Sequence, residues 1–160
     1  MSRSLGPHLP EILLARLIAS DPADRLGQAI VLVTVDPYGR PHPALVSYAE
    51  LLALDPGRIR LALHAGTRSV THLADSGRAT LVFADAELNL YVKADAVALP
   101  AAAGHPGLAR FELHVRDVLA DRAEGEEAGS LLTAGISFAW SGGPEAWARH
   151  WARVREALRA

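Results

Sequence analysis

The segment Gly57–Leu73 places polar side chains where an alternating strand pattern gives way to helical spacing, with Thr67, Arg68 and Ser69 at the junction. The first backbone N–H groups of a helix have no intrahelical partners and therefore attract an anion or a capping side chain. Two hydroxyls and a guanidinium beside these groups could hold a phosphate, which carries about −1.5 to −2 charge near neutral pH. The junction predicts a phosphate site; a plain Thr67 cap with a solvated Arg68 is the alternative.

Other chemistry-bearing residues give weaker patterns. His64 and His72 flank the predicted phosphate site, but no HExxH motif or paired carboxylate spacing accompanies them, and the chain contains no cysteine. Neither the phosphate-loop pattern nor the dinucleotide-binding glycine fingerprint occurs. A triad could be drawn from Ser47, His42 and Asp36, but it lacks the glycines of a nucleophile elbow. The residues themselves therefore indicate an anion site, and we assign no metal ligand and no catalytic side chain.

Composition indicates one ordinary globular domain. The chain has 160 residues, half of them hydrophobic, and a formal net charge of −2. This charge gives no reason to expect a nucleic-acid or anionic-membrane partner. The N-terminal residues lack the layout of a signal peptide, and the apolar run Ile12–Ala19 is too short to span a bilayer. A cytoplasmic protein is the expectation.

Hydrophobic periodicity predicts a mainly β chain with peripheral helices. Tight turns join most of the strands and one short helix interrupts them, which favours an antiparallel barrel over repeated βαβ units. A phase slip at Asp117-Val118 predicts a β-bulge. The predicted strands are Ala29–Val35, Pro43–Tyr48, Arg58–His64, Ala79–Ala84, Asn89–Leu99 and Leu108–Leu119, with Ser130–Trp140 as an ambiguous seventh, and the predicted helices are Pro10–Ser20, Thr67–Ser76 and Pro144–Arg159.

Three segments in order resemble the pyridoxamine phosphate oxidase-like FMN-binding split-barrel family: AIVLVTVDPYGRPHPALVS, RIRLALHAGTRSVTHLADSGRATLVF and ELNLYVKADAVAL. The resemblance covers roughly Ala29 to Leu99, and it rests on the order of these pieces rather than on any one motif. It implies a six-stranded antiparallel split barrel with a short phosphate-binding helix and N- and C-terminal helices, forming a single domain over residues 1–160. It also implies FMN as the cofactor and a homodimer with FMN at the interface.

The resemblance further implies a set of cofactor-binding residues. The strand along the flavin ring corresponds to Ala44, Leu45, Val46 and Ser47, and the family often has arginine where this chain has Ala44. The phosphate clamp, commonly Ser-Arg-Lys, corresponds to Thr67, Arg68 and Ser69, so that Ser69 replaces a lysine. The remaining implied contacts are Leu63 and His64 near the ribityl chain, Asn89 at the ring, and Trp140 at the flavin of the other subunit.

The implied function is a flavoprotein oxidoreductase that uses FMN for hydride or electron transfer to a small substrate. True pyridoxamine phosphate oxidases are longer and end in a substrate-phosphate segment containing Arg, Leu and Pro, whereas this chain ends RVREALRA. Pyridoxamine phosphate is therefore not the expected substrate. A deazaflavin-dependent reductase and a non-catalytic flavin- or haem-binding module are the alternatives.

Overall fold

The described residues form one antiparallel sheet of eight strands in the computed structural model, which describes residues 2–19, 21, 23–123, 125 and 128–160. The neighbour order is β3-β2-β6-β7-β8-β5-β4, with β1 paired to β8. The sheet curls into a half-barrel with helices around it, which confirms the predicted fold class. The strands are β1 Ser2–Ser4, β2 Ala29–Val35, β3 Pro41–Ser47, β4 Leu51–Asp55, β5 Arg58–His64, β6 Arg78–Ala84, β7 Asn89–Leu99 and β8 Leu108–Asp121.

Three α-helices lie where periodicity predicts them: α1 spans Glu11–Ile18, α2 Arg68–Ser76 and α3 Gly143–Arg159. The predicted end of the first helix, Ser20, lies outside the described residues. Short 3-10 turns at Ala23–Arg25 and Tyr48–Glu50 complete the elements. Gly77 ends α2 in the left-handed conformation, with φ of 62°, which glycine adopts without steric cost.

The core lies on the concave side of the sheet, because alternate residues of each strand point to it. Ile59 and Leu61 on β5 are fully buried, as the alternation of Arg58–His64 predicts. The tryptophan stripe of α3 is also buried: Trp147 and Trp151 join this core, whereas Val154 and Leu158 pack with Leu52 and Ala62 in a second cluster on the other face of β4 and β5. The helix α3 packs on β4, on β5 and on the 3-10 turn Tyr48–Glu50. The last residue of this turn, Glu50, lines the candidate site.

The strand count differs from the six predicted. The additional strands are β1 and β4, and β4 forms a hairpin with β5 across the turn at Pro56 and Gly57. The favoured assignment of Ser130–Trp140 as a strand is wrong. This segment makes a single bridge, Gln28 to Ser137, because its described backbone hydrogen bonds to the sheet reach Gly27 and Ala29 at the start of β2 and do not continue as a ladder.

The predicted bulge in β8 is confirmed and lies one residue earlier. Lys93 pairs with Asp117 and Ala94 pairs with Val115, so Arg116 is the extra residue on β8. The bulge turns Arg116 towards β7, where its Nε donates a hydrogen bond of 2.6 Å to Asp95. The phase slip read from the sequence therefore reports a real insertion in the β7–β8 ladder.

A buried arginine joins α1 to the loop between β6 and β7. Arg16 Nη1 donates to Asp85 Oδ2 at 2.6 Å and to the hydroxyl of Tyr48 at 3.3 Å, and Arg16 Nη2 contacts Glu87. Burial alone would raise the pKa of Asp85, but hydrogen bonds from Arg16 and from two loop amides outweigh it, and the pKa is lowered. The ionised carboxylate is therefore stabilised in the folded state.

This network predicts an acid-sensitive contribution to stability. Because the folded-state pKa of Asp85 is depressed, its contribution is present above the unfolded value of about 3.9 and is lost as pH falls through the folded value. Asp85→Asn should therefore lower the free energy of unfolding by about 1–3 kcal/mol at pH 7, with a much smaller difference near pH 3. Urea unfolding at both pH values measures this, with exposed Asp75→Asn as the control; an equal loss at both pH values contradicts it.

Candidate functional site

A cavity of about 480 Å³ opens between β3, the end of β5 and the start of α2. The sequence predicts all of its lining residues except His42 and Glu50. The lining residues are His42, Ala44, Leu45, Val46, Glu50, Leu63, His64, Thr67, Arg68 and Ser69. Residues that are far apart in the chain, and that the resemblance assigns to one cofactor, therefore share one concave surface.

The N-terminus of α2 opens on this cavity without a side-chain cap. Thr67 has extended backbone angles, and its Oγ1 donates to the carbonyl oxygen of His64 at 3.1 Å instead of accepting from the helix. The capping bond that the alternative interpretation assigns to Thr67 is therefore not observed, whereas the exposed Arg68 that it also assumes is. The amides of the first turn have no capping hydroxyl and can donate to an anion.

The two residues after Thr67 differ in exposure. The Arg68 side chain is exposed at the rim, so its guanidinium can move to meet an anion. Ser69 is only 5% exposed and forms part of the cavity wall. A short hydroxyl suits this buried position, at which the family commonly has lysine. Arg68 is the cationic side chain among the residues that line this cavity.

The β3 strand forms the other wall and is an edge strand of the described sheet. Ala44, Leu45 and Val46 line the cavity, and the Leu45 side chain is 62% exposed. Ser47 is buried behind the wall, where its Oγ donates to Glu50 Oε2 at 2.7 Å. Three of the four predicted ring-strand residues therefore line the cavity, and the fourth is hydrogen-bonded to Glu50 behind it.

Asn89 lies apart from this cavity. It stands at the start of β7, three strands from β3 along the sheet, a separation of roughly 14 Å at the usual strand spacing. It lines a second, open cavity of about 850 Å³, which also includes Leu88, Asp121 and Leu131. Within one chain, the structure does not bring Asn89 together with Thr67 and Arg68.

Trp140 also lies outside the cavity lining. It is half-buried in an aromatic cluster, where its ring centroid is 4.7 Å from that of His150, 5.1 Å from Trp147 and 6.2 Å from Phe138. His150 Nε2 in turn lies 3.6 Å from Glu50 Oε1, so the cluster packs behind the wall that carries Glu50. Trp140 therefore packs against His150, behind the cavity wall of its own chain.

Two cavity residues were not assigned from the sequence. Glu50 could have been recognised from the Ser47-Tyr-Ala-Glu50 pattern, because Ser-x-x-Glu marks a capping box, and the structure contains that box. His42 lies two residues before Ala44 on the same face of β3, and its ring packs edge-on against His72 at 4.8 Å. Ser47 is five positions from His42 and therefore on the opposite face, which excludes the triad.

Neither a metal centre nor a membrane span is found in the part of the chain that the structure describes. No three His, Asp or Glu side chains within it are grouped so that they could hold a metal ion. His72, which packs behind His42, is buried with its Nδ1 3.2 Å from Thr34 Oγ1. No described helix combines the length and apolar character needed to cross a bilayer.

Comparison with known proteins identifies the family. The family model for pyridoxamine 5'-phosphate oxidase matches residues 26–130, which include every residue that lines the candidate cavity. No curated protein matches the chain in sequence.

Solved structures share the fold at low sequence identity. A Lactobacillus delbrueckii protein assigned as a pyridoxamine 5'-phosphate oxidase aligns over 72% of this chain and 98% of its own, with 17% identity and a TM-score of 0.57. HupZ of Group A Streptococcus aligns over 79% of this chain and 100% of its own, with 18% identity and a TM-score of 0.54. A Listeria innocua protein, also assigned as a pyridoxamine 5'-phosphate oxidase, has 11% identity, a TM-score of 0.50 and coverage of 68% and 94%. The family match over most of the chain, together with the half-barrel fold, shows that this chain belongs to the pyridoxamine 5'-phosphate oxidase family.

Proposed function

We propose that this protein is a single-domain FMN-binding flavoprotein oxidoreductase that acts on a small substrate. The observation that carries the proposal is the uncapped N-terminus of α2, beside Arg68, on the same cavity as the exposed edge of β3. One end of the cavity thus offers donors for a phosphate, and the neighbouring wall offers an apolar strand for a flat ring. This distribution of polarity matches FMN.

The donor set at α2 fits a phosphate ester. Arg68 can bind two phosphate oxygens at once, and Ser69 adds a hydroxyl next to the free amides of the first turn. The Thr67 hydroxyl adds a second donor when it exchanges its bond to the His64 carbonyl for one to the phosphate. Charged hydrogen bonds contribute about 1.5–3 kcal/mol each, whereas the helix dipole adds only about 0.3–1 kcal/mol. Because Ala44 and Ser69 stand where the family commonly has cationic residues, phosphate anchoring in this chain depends on Arg68.

FMN, when bound, supplies the hydride or electron transfer. The residues of this chain bind, orient and shield it. Leu45, Val46 and Leu63 provide apolar surface against the ring and exclude water from it. No cavity residue is required as a general acid or base in this proposal, so we name no catalytic side chain.

We further propose that the active form is a homodimer with FMN at the interface. Asn89 and Trp140 do not line the cavity of their own chain, so a contact from either to a flavin at Arg68 requires a second copy. The exposed Leu45 on an edge strand gives such a copy an apolar surface to cover. Light scattering should give a mass of about twice 17.0 kDa.

Titration of the purified protein with FMN tests the proposed function. We expect saturable binding of one FMN per chain, seen as a perturbation of the flavin absorption bands, and oxidation of a nicotinamide cofactor by the loaded protein. FMN binding without turnover would support the non-catalytic module instead. Failure of FMN to bind, with uptake of a deazaflavin or of haem, would reject FMN as the ligand.

A further inference from the structure

Glu50 places a carboxylate on the wall of the candidate cavity, and its two oxygens have different environments. Oε2 accepts hydrogen bonds from the backbone amide and from Oγ of Ser47. Oε1 accepts none from the described residues, and His150 Nε2 is 3.6 Å from it. The side chain is 23% exposed, through the cavity. One oxygen thus supports the fold, and the other is free to accept a hydrogen bond.

His150 supports this carboxylate from behind. Its Nε2 is buried and has no hydrogen-bond partner among the described residues. The imidazole lies against two indoles, with centroid distances of 4.7 Å to Trp140 and 5.8 Å to Trp147. This aromatic packing restrains the orientation of the imidazole ring and keeps Nε2 directed towards Glu50.

A buried arginine holds the turn that carries Glu50. Arg155 Nη2 donates to the carbonyl oxygen of Tyr48 at 3.2 Å, and its Nη1 donates to that of Leu17 at 3.0 Å. These bonds tie the 3-10 turn to α1 and α3. Glu50 is therefore a pre-positioned acceptor, and a ligand that meets it does not have to order a mobile side chain.

We propose that Glu50 accepts a hydrogen bond from the N3–H group of the bound flavin ring, with His150 as its positioning residue. The inference rests on the proposed function, because it takes FMN as the ligand. Glu50 follows β3, the strand proposed to lie along the ring, while the phosphate donors are at α2. The oxidised isoalloxazine ring has a single ring N–H, at N3, and this is the donor a fixed carboxylate can select.

A merely structural role for Glu50 makes a different prediction. If its carboxylate only caps the 3-10 turn, removing a negative charge from a cavity that receives an anionic ligand should leave FMN binding unchanged or tighten it. Glu50→Gln separates the two cases. In this variant the amide oxygen of Gln can still accept a hydrogen bond from Ser47. The amide NH₂ group then faces the ligand, and this donor would oppose the N3–H donor of the flavin ring.

The test measures the dissociation constants of FMN and riboflavin for the wild type, Glu50→Gln and Arg68→Ala. Riboflavin has the same ring and no phosphate. We expect Glu50→Gln to weaken both ligands by about tenfold and by the same factor, whereas Arg68→Ala weakens FMN alone. His150→Phe, which retains the aromatic packing, should weaken both ligands by about threefold.

A modified ligand tests the inference on the wild-type protein even if Glu50→Gln fails to fold. N3-methylated riboflavin cannot donate at N3, and we expect the wild type to bind it at least tenfold more weakly than riboflavin. In a folded Glu50→Gln variant this methyl penalty should largely vanish. Unchanged or tighter flavin binding by Glu50→Gln, a loss confined to FMN, or equal wild-type affinity for the methylated ring overturns the inference. If the wild type binds neither flavin, the proposed function itself fails.

Discussion

Replacing Arg68 with alanine should weaken FMN binding by about a hundredfold while the protein stays folded. Arg68 is exposed at the rim of the cavity, so its loss should have little effect on stability. Two charged hydrogen bonds to one phosphate, at about 1.5 kcal/mol or more each, correspond to a factor of this size. Fluorescence quenching of FMN titrated with protein measures the effect directly.

Arg78→Ala is the matched control for this variant. Arg78 is also exposed but lies at the start of β6, away from the cavity. It should leave the FMN affinity within a factor of two of the wild type, apart from weak long-range attraction that salt screens. A comparable loss in both variants would show that net charge, rather than a phosphate clamp, governs binding. Full retention of FMN affinity by Arg68→Ala would also contradict the clamp.

Replacing Trp147 with alanine should have the largest effect on stability, a loss of about 3–5 kcal/mol in the free energy of unfolding. Trp147 is 1% exposed and packs against the rings of Phe138, Trp140 and Trp151. Its removal leaves a cavity between α3 and the sheet that these rigid neighbours cannot fill. Chemical denaturation monitored by far-UV circular dichroism gives the value.

The control for Trp147→Ala is Leu131→Ala, because Leu131 is 85% exposed and should contribute less than about 0.5 kcal/mol. Trp147→Phe should lose less than the alanine variant, since it retains most of the buried area. A loss below 1 kcal/mol for Trp147→Ala would contradict a central packing role for Trp147. It would also remove the aromatic support for the positions of His150 and Glu50.

The strands and helices that frame the site could be predicted because each has a clear hydrophobic period. Arg58–His64 alternates, the Trp147 and Trp151 stripe has helical spacing, and the phase slip near Asp117 marks a real bulge. The family resemblance also predicts that Ala44, Leu63 and Arg68 lie together, and all three line the cavity. Hydrophobic periodicity was therefore sufficient for these strands and helices, and the family resemblance was sufficient for the three cavity residues.

Other features depend on long-range pairing that no local pattern encodes. The strand β4 forms by pairing with β5, whereas Ser130–Trp140 makes a single bridge to Gln28. The distance of Asn89 from the α2 terminus follows from strand order, which sequence periodicity leaves undetermined. Glu50 faces the cavity because Ser47 and His150 hold it there, and His150 comes from the other end of the chain.

The most direct test of the central claim is to incubate the purified protein with FMN, remove free ligand by gel filtration, and identify what remains bound by absorbance and mass spectrometry. We predict a yellow protein that retains one FMN per chain, and an Arg68→Ala variant that emerges colourless from the same column. A colourless wild-type protein, or one that retains FMN equally well without Arg68, would contradict the proposal that α2 and Arg68 anchor the phosphate.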